Sequence, residues 1–518
     1  MELSSITTAE IVELDSFIEG ERNDVVLDTD VSEKLFISQL AYWESVQIDN
    51  SFLYTEQILS EATVNIVRNN VSFESIRALV PFPNDKVPVP NRRCLRYGTH
   101  GIHEYRGKFF PQLVKSLINI GNIPSDGVVA DPMCGSGTTI VESILAGRRA
   151  IGIDMNPLSV LIAQTKCELL KIDPKELVDC YNYIHDYLVA YQGNREERTL
   201  PYFDSLPVED RKYLKMWFSE IVLEDLDIIM RTIATVKHSA VRKLFTICLS
   251  NIIRNVSWQK TDDLRVRKEV REDIDIDSIQ EFLIGMGKTV RTVSAFLYQN
   301  SGKPVGNHEM NLGDARILTE SLSQWTGQVD AIITSPPYAT ALPYLDTDRL
   351  SLSYLGLLPR SSYRHRDLQM IGNREITNRI RQANLEEYLE KKSDLPGEVC
   401  ELIDHLIETN SDDQVGFRRR NLPSLLARYF MDMKMVFNEM HKILKENKFA
   451  YVVVGQNHTI ANGEKIIIDT PRLLGEIATQ VGFQLTGSIS MEMLVSRDIF
   501  KKNASTREEI LCLQKKGC

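Results

Sequence analysis

An open α/β sheet with mostly parallel strands is the fold class this sequence predicts, and three stretches predict it. The first is Val128–Thr139, Val-Val-Ala-Asp-Pro-Met-Cys-Gly-Ser-Gly-Thr-Thr. Small apolar residues run into an acid and a Gly-Ser-Gly turn, then helical periodicity holds from Thr138 to Ala146. The second, Arg149-Ala-Ile-Gly-Ile-Asp154, reads as a strand ending on another acid. The third, Val329-Asp-Ala-Ile-Ile-Thr334, is an apolar strand that delivers Ser335-Pro-Pro-Tyr338 at its C-terminal end, the edge where ligands collect in such sheets. Gly135 and Gly137 lack a Cβ, so the turn can take positive φ and a ligand can approach the backbone. The free N–H groups opening the helix face that ligand, and an acid at the tip of the second strand suits a ribose diol.

The 518 residues call for two domains or one elaborated domain, and 43% hydrophobic with 25% charged residues is ordinary for a globular protein. No apolar run is long enough to span a bilayer, and the acidic N-terminus lacks signal-peptide character. Eight cysteines without a C-x-x-C pair argue against zinc or disulfide frameworks and for a reducing cytoplasmic setting. No metal site is expected. The net charge of −11 is neutral evidence about nucleic acid, because a basic face can hide in an acidic total.

Residues 1–91 are acidic and helix-patterned over Glu33–Trp43 and Phe52–Val67, an N-terminal helical accessory region closed by the proline-rich linker Pro81–Pro90. Gly101–Pro111 then leads into an amphipathic helix over Gln112–Ile120. Residues 92–167 form one half of the predicted core. Residues 168–305 are a helical insertion, with Trp217, Phe218, Ile221, Val222 and Leu226, then Leu244, Ile247, Cys248, Ile252 and Ile253, recurring at helical spacing as core stripes. Residues 306–357 resume the sheet with a third strand, Met310-Asn-Leu-Gly-Asp314, and a helix start over Ala341–Leu350. A second insertion, 358–424, is arginine-rich at both ends. Residues 425–518 close the core with a helix over Leu425–Leu444, a strand over Phe449–Gly455, a helix over Pro471–Val481, and strands over Phe483–Ser490 and Glu509–Leu513.

Taken together, Asp131-Pro-x-Cys-Gly-Ser-Gly-Thr-Thr139 and Ser335-Pro-Pro-Tyr338 resemble the cofactor loop and catalytic tetrapeptide of the S-adenosylmethionine-dependent DNA amino-methyltransferases, the cytosine-N4 type in particular. The resemblance covers most of Gly101–Lys515. It implies a Rossmann-like methyltransferase sheet, mostly parallel with an antiparallel closing strand. It also implies S-adenosyl-L-methionine as cofactor, held by Asp131, Pro132, Cys134, Gly135, Ser136, Gly137, Thr138 and Thr139 and by Asp154, Met155 and Asn156. Asp314, with Ala315 beside it, would accept a hydrogen bond from the cofactor's adenine amino group. Lys108-Phe109-Phe110-Pro111 resembles the element that packs beside the methionine end. Cys134 reads as a small packed residue, and His100 and His103 as structural ones.

The chemistry suits these residue types. An exocyclic amino nitrogen is a poor nucleophile until it pyramidalises, and acceptors aimed at its N–H bonds favour that geometry and take up developing charge. The Ser335 hydroxyl and the Pro336 carbonyl are assigned that role. Pro336 and Pro337 fix φ and remove competing donors, and Tyr338 offers a ring for a base that has left the helix. No cysteine nucleophile is needed, unlike carbon-5 methylation.

The expected substrate is double-stranded DNA, methylated at cytosine N4 after base flipping, in a restriction–modification or related defence system with a cognate endonuclease or defence proteins as partners. Adenine N6, the guanine N2 of RNA, and a non-catalytic nucleic-acid-binding subunit are the alternatives. Serine in the first tetrapeptide position favours cytosine. Candidate DNA contacts are Arg265, Arg267 and Lys268 near Trp258, then Arg364 and Arg366, then Arg418, Arg419 and Arg420.

Overall fold

A computed structural model of the chain describes residues 1–7, 11–14, 24–49, 51–67, 71–105, 110–193, 199–260, 267–270, 276–339, 344–374, 376–410, 416–461, 464–492 and 507–517. Its centre is a seven-stranded sheet. The strands are β1 (Val128–Asp131), β2 (Arg149–Asp154), β3 (His308–Leu312), β4 (Val329–Thr334), β5 (Leu444–Gly455), β6 (Phe483–Glu492) and β7 (Arg507–Lys515), in the spatial order β6-β7-β5-β4-β1-β2-β3. β1 pairs in parallel with β2 and β4, β2 with β3, and β4 with β5. Only β7 enters antiparallel, between β5 and β6. This is the mostly parallel, Rossmann-like methyltransferase sheet that the sequence predicts.

Strand periodicity explains the layering. Ala130, Ile332, Val452 and Val454 face a cluster built on the helices Phe417–Ile443 and Thr470–Gln480. Their neighbours Val129, Ala331, Ile333 and Val453 face Leu113, Val114 and Leu117 on the helix Pro111–Ile120. Alternation of that kind is what a strand covered on both sides requires, and all six residues of β4 are buried.

The helical insertion packs on the core rather than beside it. Its helices Pro174–Gly193, Glu220–Ala234, Ser239–Val256 and Ser278–Gln299 share one apolar cluster with Thr138–Leu145 and Pro157–Leu169. The predicted stripe residues are buried there except Ile221, which is 44% exposed. The helix starts only after its cap Ser219, so Trp217 and Phe218 precede it and the assumed period breaks.

The remaining differences have local causes. The N-terminal region is not all helical: Ile11–Leu14 pairs with Val25–Leu27, and Ser45–Ile48 with Ser51–Tyr54, as two antiparallel hairpins. Pro81–Pro90 holds a 3₁₀ turn, Asn84–Lys86, and is pinned at both ends. Phe82 N–H donates to Gln299 Oε1 at 2.9 Å, and Asn65 Nδ2 donates to the Pro88 carbonyl at 2.9 Å. Glu61, fully buried, ties the accessory region to the core through Arg93 at 2.7 Å and Gln112 Nε2 at 2.8 Å.

The helix placed at Leu425–Leu444 begins at Phe417 and carries Pro423 inside it, so the predicted 424/425 boundary falls within one helix. Burial of Leu422, Leu425 and Leu426 outweighs the one backbone bond that proline removes. The third strand stops at Leu312, two residues before Asp314. Among the described residues no helix is long and apolar enough to cross a membrane.

Candidate active site

In the sheet order, the chain steps outward from β1 through β2 to β3 and then returns to the other side of β1 as β4. The crevice between the C-terminal ends of β1 and β4 is the switch point where open parallel sheets bind ligands. The glycine loop leaves one side of it and the Ser-Pro-Pro-Tyr segment the other. Thr139 Oγ1 bridges them, donating to the Ile333 carbonyl at 3.1 Å. A cleft enclosing about 610 Å³, its open mouth included, joins the two. Pro132, Met133, Gly135, Asp154 and Met155 form one wall, Gly313 and Ala315 a second, and Ser335 and Pro337 a third.

The loop conformation depends on its glycines. Gly135 and Gly137 have φ of +49° and +80°. A Cβ on Gly137 would lie 2.6 Å from that of Ala163, so only glycine lets the helix Thr138–Leu145 pack this close. Beneath the loop the fully buried Lys166 donates to the Ser136 carbonyl at 2.7 Å. Cys134 is buried, and its N–H donates to the Ile153 carbonyl at 2.9 Å. Ser136, Thr138, Thr139 and Asn156 are likewise buried as support. Asn156 caps the next helix by accepting from Leu158 N–H at 3.0 Å.

Two acids show the cost of burial. Asp154 accepts the N–H groups of Gly135 and Asn156, each at 2.8 Å, which clamps the loop to the tip of β2. Burial still pushes its carboxyl up to about 6. Asp131, at the end of β1, is pushed up to about 7 by burial, partly offset by the Met133 N–H, which donates to Oδ1 at 3.1 Å.

The folded pKa of Asp131 therefore lies above its ordinary 3.8. The native state binds the extra proton between roughly pH 4 and 7, so the acid's contribution to stability declines as pH rises through that window. Asp131→Asn is expected to gain thermal stability relative to the parent as pH goes from 5 to 8. A pH-independent difference between the two melting curves would contradict this origin.

Asp314 sits just off β3, where it caps a 3₁₀ turn by accepting from Arg316 N–H at 2.9 Å. Its carboxylate is gripped by the Arg316 guanidinium at 2.6 Å, which also meets Asp432 at 2.9 Å and the Gln369 carbonyl at 2.9 Å. The backbone on either side of Asp314 thus forms the cleft wall while Arg316 holds the acid. Arg316→Ala leaves Asp432, 8% exposed, without its main partner. A stability loss of about 3 kcal/mol or more is expected from a denaturant midpoint, with partial recovery in Arg316→Lys.

Tyr338 turns toward the closing strands. Its hydroxyl hydrogen-bonds Glu508 on β7, and its ring lies so near Gly455 that a Cβ there would be 3.3 Å from Cζ. Pro336 is buried, and Ser335 and Pro337 are half-buried. Phe110 and Pro111 open the helix Pro111–Ile120, while Lys108 and Phe109 lie outside the described residues. His100 Nε2 and the Tyr97 hydroxyl both meet Glu142 Oε1 at 2.7 Å, a structural knot away from the cleft.

The candidate DNA contacts scatter. Arg267 and Lys268 are exposed, with Lys268 Nζ 4.9 Å from the centroid of the Trp258 ring, and Arg265 lies outside the described residues. Arg364 is exposed, whereas Arg366 donates to the Met155 carbonyl at 3.2 Å and braces the cleft. Arg418 and Arg419 are exposed at the start of the long helix, with Arg420 half-buried beside them. Sequence reasoning missed Tyr105, Met370 and Ile371, which complete the cleft lining, and Glu508. Met370 and Ile371 belong to the arginine-flanked insertion, so that insertion closes over the cleft.

The DNA methylase family model matches residues 83–165, which span the glycine loop and β2. The Type II methyltransferase M.MvaI of Kocuria varians is 26% identical over 400 residues, 73% of this chain and 80% of its own. The Type II methyltransferase M.BsoBI of Geobacillus stearothermophilus is 23% identical over 434 residues, 76% of this chain and 81% of its own. Among solved structures, the rRNA methyltransferase aviRa of Streptomyces viridochromogenes aligns over 80% of this chain and 88% of its own at 10% identity. Its TM-score is 0.28, so the sheet order alone carries the fold assignment.

Over residues 83–165 by the family model, and over about three quarters of its length by these relatives, the chain is similar to DNA amino-methyltransferases. S-adenosylmethionine is the cofactor that this likeness implies, and the cleft suits it. Gly135, at positive φ, brings bare backbone to one wall, and the half-buried Asp154 lines the same wall.

Proposed function

We propose that this protein methylates the N4 amino group of cytosine at a specific site in double-stranded DNA, and that it does so on a base flipped into the cleft. The observation that supports this most directly is the shared cleft, with Gly135 on one wall and Ser335 on another. The cofactor supplies an electrophilic methyl on a sulfonium; the amino nitrogen takes that methyl as the carbon–sulfur bond breaks and its electron pair returns to sulfur.

The chain's own residues do the positioning. Asp154 and the Gly135 backbone hold the donor, and Gly313 and Ala315 frame its adenine. Ser335 Oγ and the Pro336 carbonyl accept the two amino N–H bonds, and the surplus proton leaves through them to solvent. Alignment of nitrogen, methyl and sulfur supplies much of the rate, because no covalent intermediate is needed. Tyr338, anchored by Glu508 and backed by Gly455, offers the ring on which the extruded base stacks.

Serine rather than Asp or Asn ahead of the two prolines favours cytosine over adenine. The Type II names of the relatives support service in a restriction–modification system. Sequencing genomic DNA from a methylation-free host that expresses the chain tests the reading. 4-methylcytosine at one short sequence is expected. N6-methyladenine would move the target base, and unmodified DNA from a host making folded protein would overturn the proposal.

A further inference from the structure

A two-stranded antiparallel ribbon, Asn457–Ala461 paired with Glu464–Ile468, stands apart from the seven-stranded sheet. It springs from the C-terminal end of β5, two residues beyond Gly455, where Tyr338 packs. Gln456 Nε2 closes its base by donating to Asp469 Oδ1 at 3.3 Å. The ribbon therefore rises from the edge of the sheet that carries the Ser-Pro-Pro-Tyr segment.

Its two faces differ. Ile468 is buried and Ile466 packs against the sheet's apolar cluster, so the face they share is turned inward. The opposite face carries His458, Ile460, Lys465 and Ile467, and all four are exposed. Ile460 is 48% and Ile467 60% exposed. Register pairs His458 with Ile467 and Ile460 with Lys465, so the four make one continuous patch with no acid in it. In a chain of net charge −11, a cationic and apolar patch beside the catalytic edge is not explained by folding.

We propose that this ribbon is a DNA-docking element that enters the major groove next to the target base. The inference rests on the DNA reading above and names the surface that serves it. A B-DNA major groove, about 12 Å wide, admits a two-stranded ribbon. Ile460 and Ile467 meet apolar base edges such as the thymine methyl, and Lys465 meets a phosphate. Double-stranded DNA is the occupant because the patch is continuous with the edge to which a flipped base must be delivered, and its charge complements the phosphate backbone.

Fluorescence anisotropy with a labelled duplex containing the methylated sequence tests it, with full-length protein and a cofactor analogue. The double variant Ile460→Ser/Ile467→Ser is expected to weaken duplex binding at least tenfold while its cofactor affinity matches the parent. Lys465→Gln is expected to reduce the slope of log affinity against log salt by about one. Parent-like duplex affinity in the double variant overturns the proposal and leaves the DNA reading intact. So does a shift of the double variant from dimer to monomer in sedimentation at unchanged duplex affinity, because the patch then belongs to a second copy. A parent protein that binds no duplex, while still binding cofactor, overturns the DNA reading and this inference together.

Discussion

Ser335→Ala is expected to lower turnover by about 10²- to 10³-fold, the usual loss when one preorganised hydrogen-bonding partner of a transition state is removed. The side chain is half-buried at the end of β4 and lines the cleft that Gly135 also lines. On the proposed reading its oxygen stabilises positive charge that develops only as nitrogen attacks, so the effect is expected on kcat rather than on cofactor binding. Cofactor affinity in a calorimetric titration should stay within a few-fold of the parent. The buried Pro336 and the packing of β4 do not depend on the hydroxyl, so the variant should fold normally. Equal loss of turnover and of cofactor affinity would show that Ser335 shapes the cleft instead of acting on the amino group.

Asp154→Ala carries the second large effect. The carboxylate clamps the Gly135 and Asn156 N–H groups and faces the cleft. Removing it frees the glycine loop and deletes the acceptor proposed for the ribose diol. A loss of about 2–3 kcal/mol in cofactor binding follows for a hydrogen-bonded charged group, roughly 30- to 150-fold in Kd.

The pH dependence has a definite sign. On the proposed reading the ionised acid accepts from both ribose hydroxyls, and burial raises its pKa to about 6 in the free protein. Cofactor affinity in the parent should therefore fall as pH drops through about 6, and this dependence should vanish in Asp154→Asn. An unchanged pH profile in that variant would move the titration to another group.

The central strands were readable because their burial is local information. β4 is a short, mainly apolar run of strand-forming residues and emerged with the predicted bounds, as did β2. The glycine loop was readable because close approach to a ligand or to Ala163 excludes side chains at those positions. What escaped depends on distant partners. Nothing near Asp314 announces that Arg316 will bind it together with Asp432, 116 residues further on. Glu508 meets Tyr338 across 170 residues. The hairpin of Ser45–Ile48 with Ser51–Tyr54 escaped because Phe52 and Leu53 also suit the start of the helix that begins at Glu56. The ribbon at Asn457–Ile468 escaped although its sequence carries Asn462-Gly463, a short-range hairpin signal, between the two runs.

Incubating purified protein with methyl-labelled S-adenosylmethionine and either duplex DNA or RNA, then digesting the product to nucleosides, tests the central claim most directly. That claim is that a donor held at Gly135 and acceptors at Ser335 act on one exocyclic amino group of DNA. Label in N4-methyl-2′-deoxycytidine from the DNA, lost in Ser335→Ala, is the expected result. Label confined to RNA, or on a ring carbon of cytosine, would contradict it.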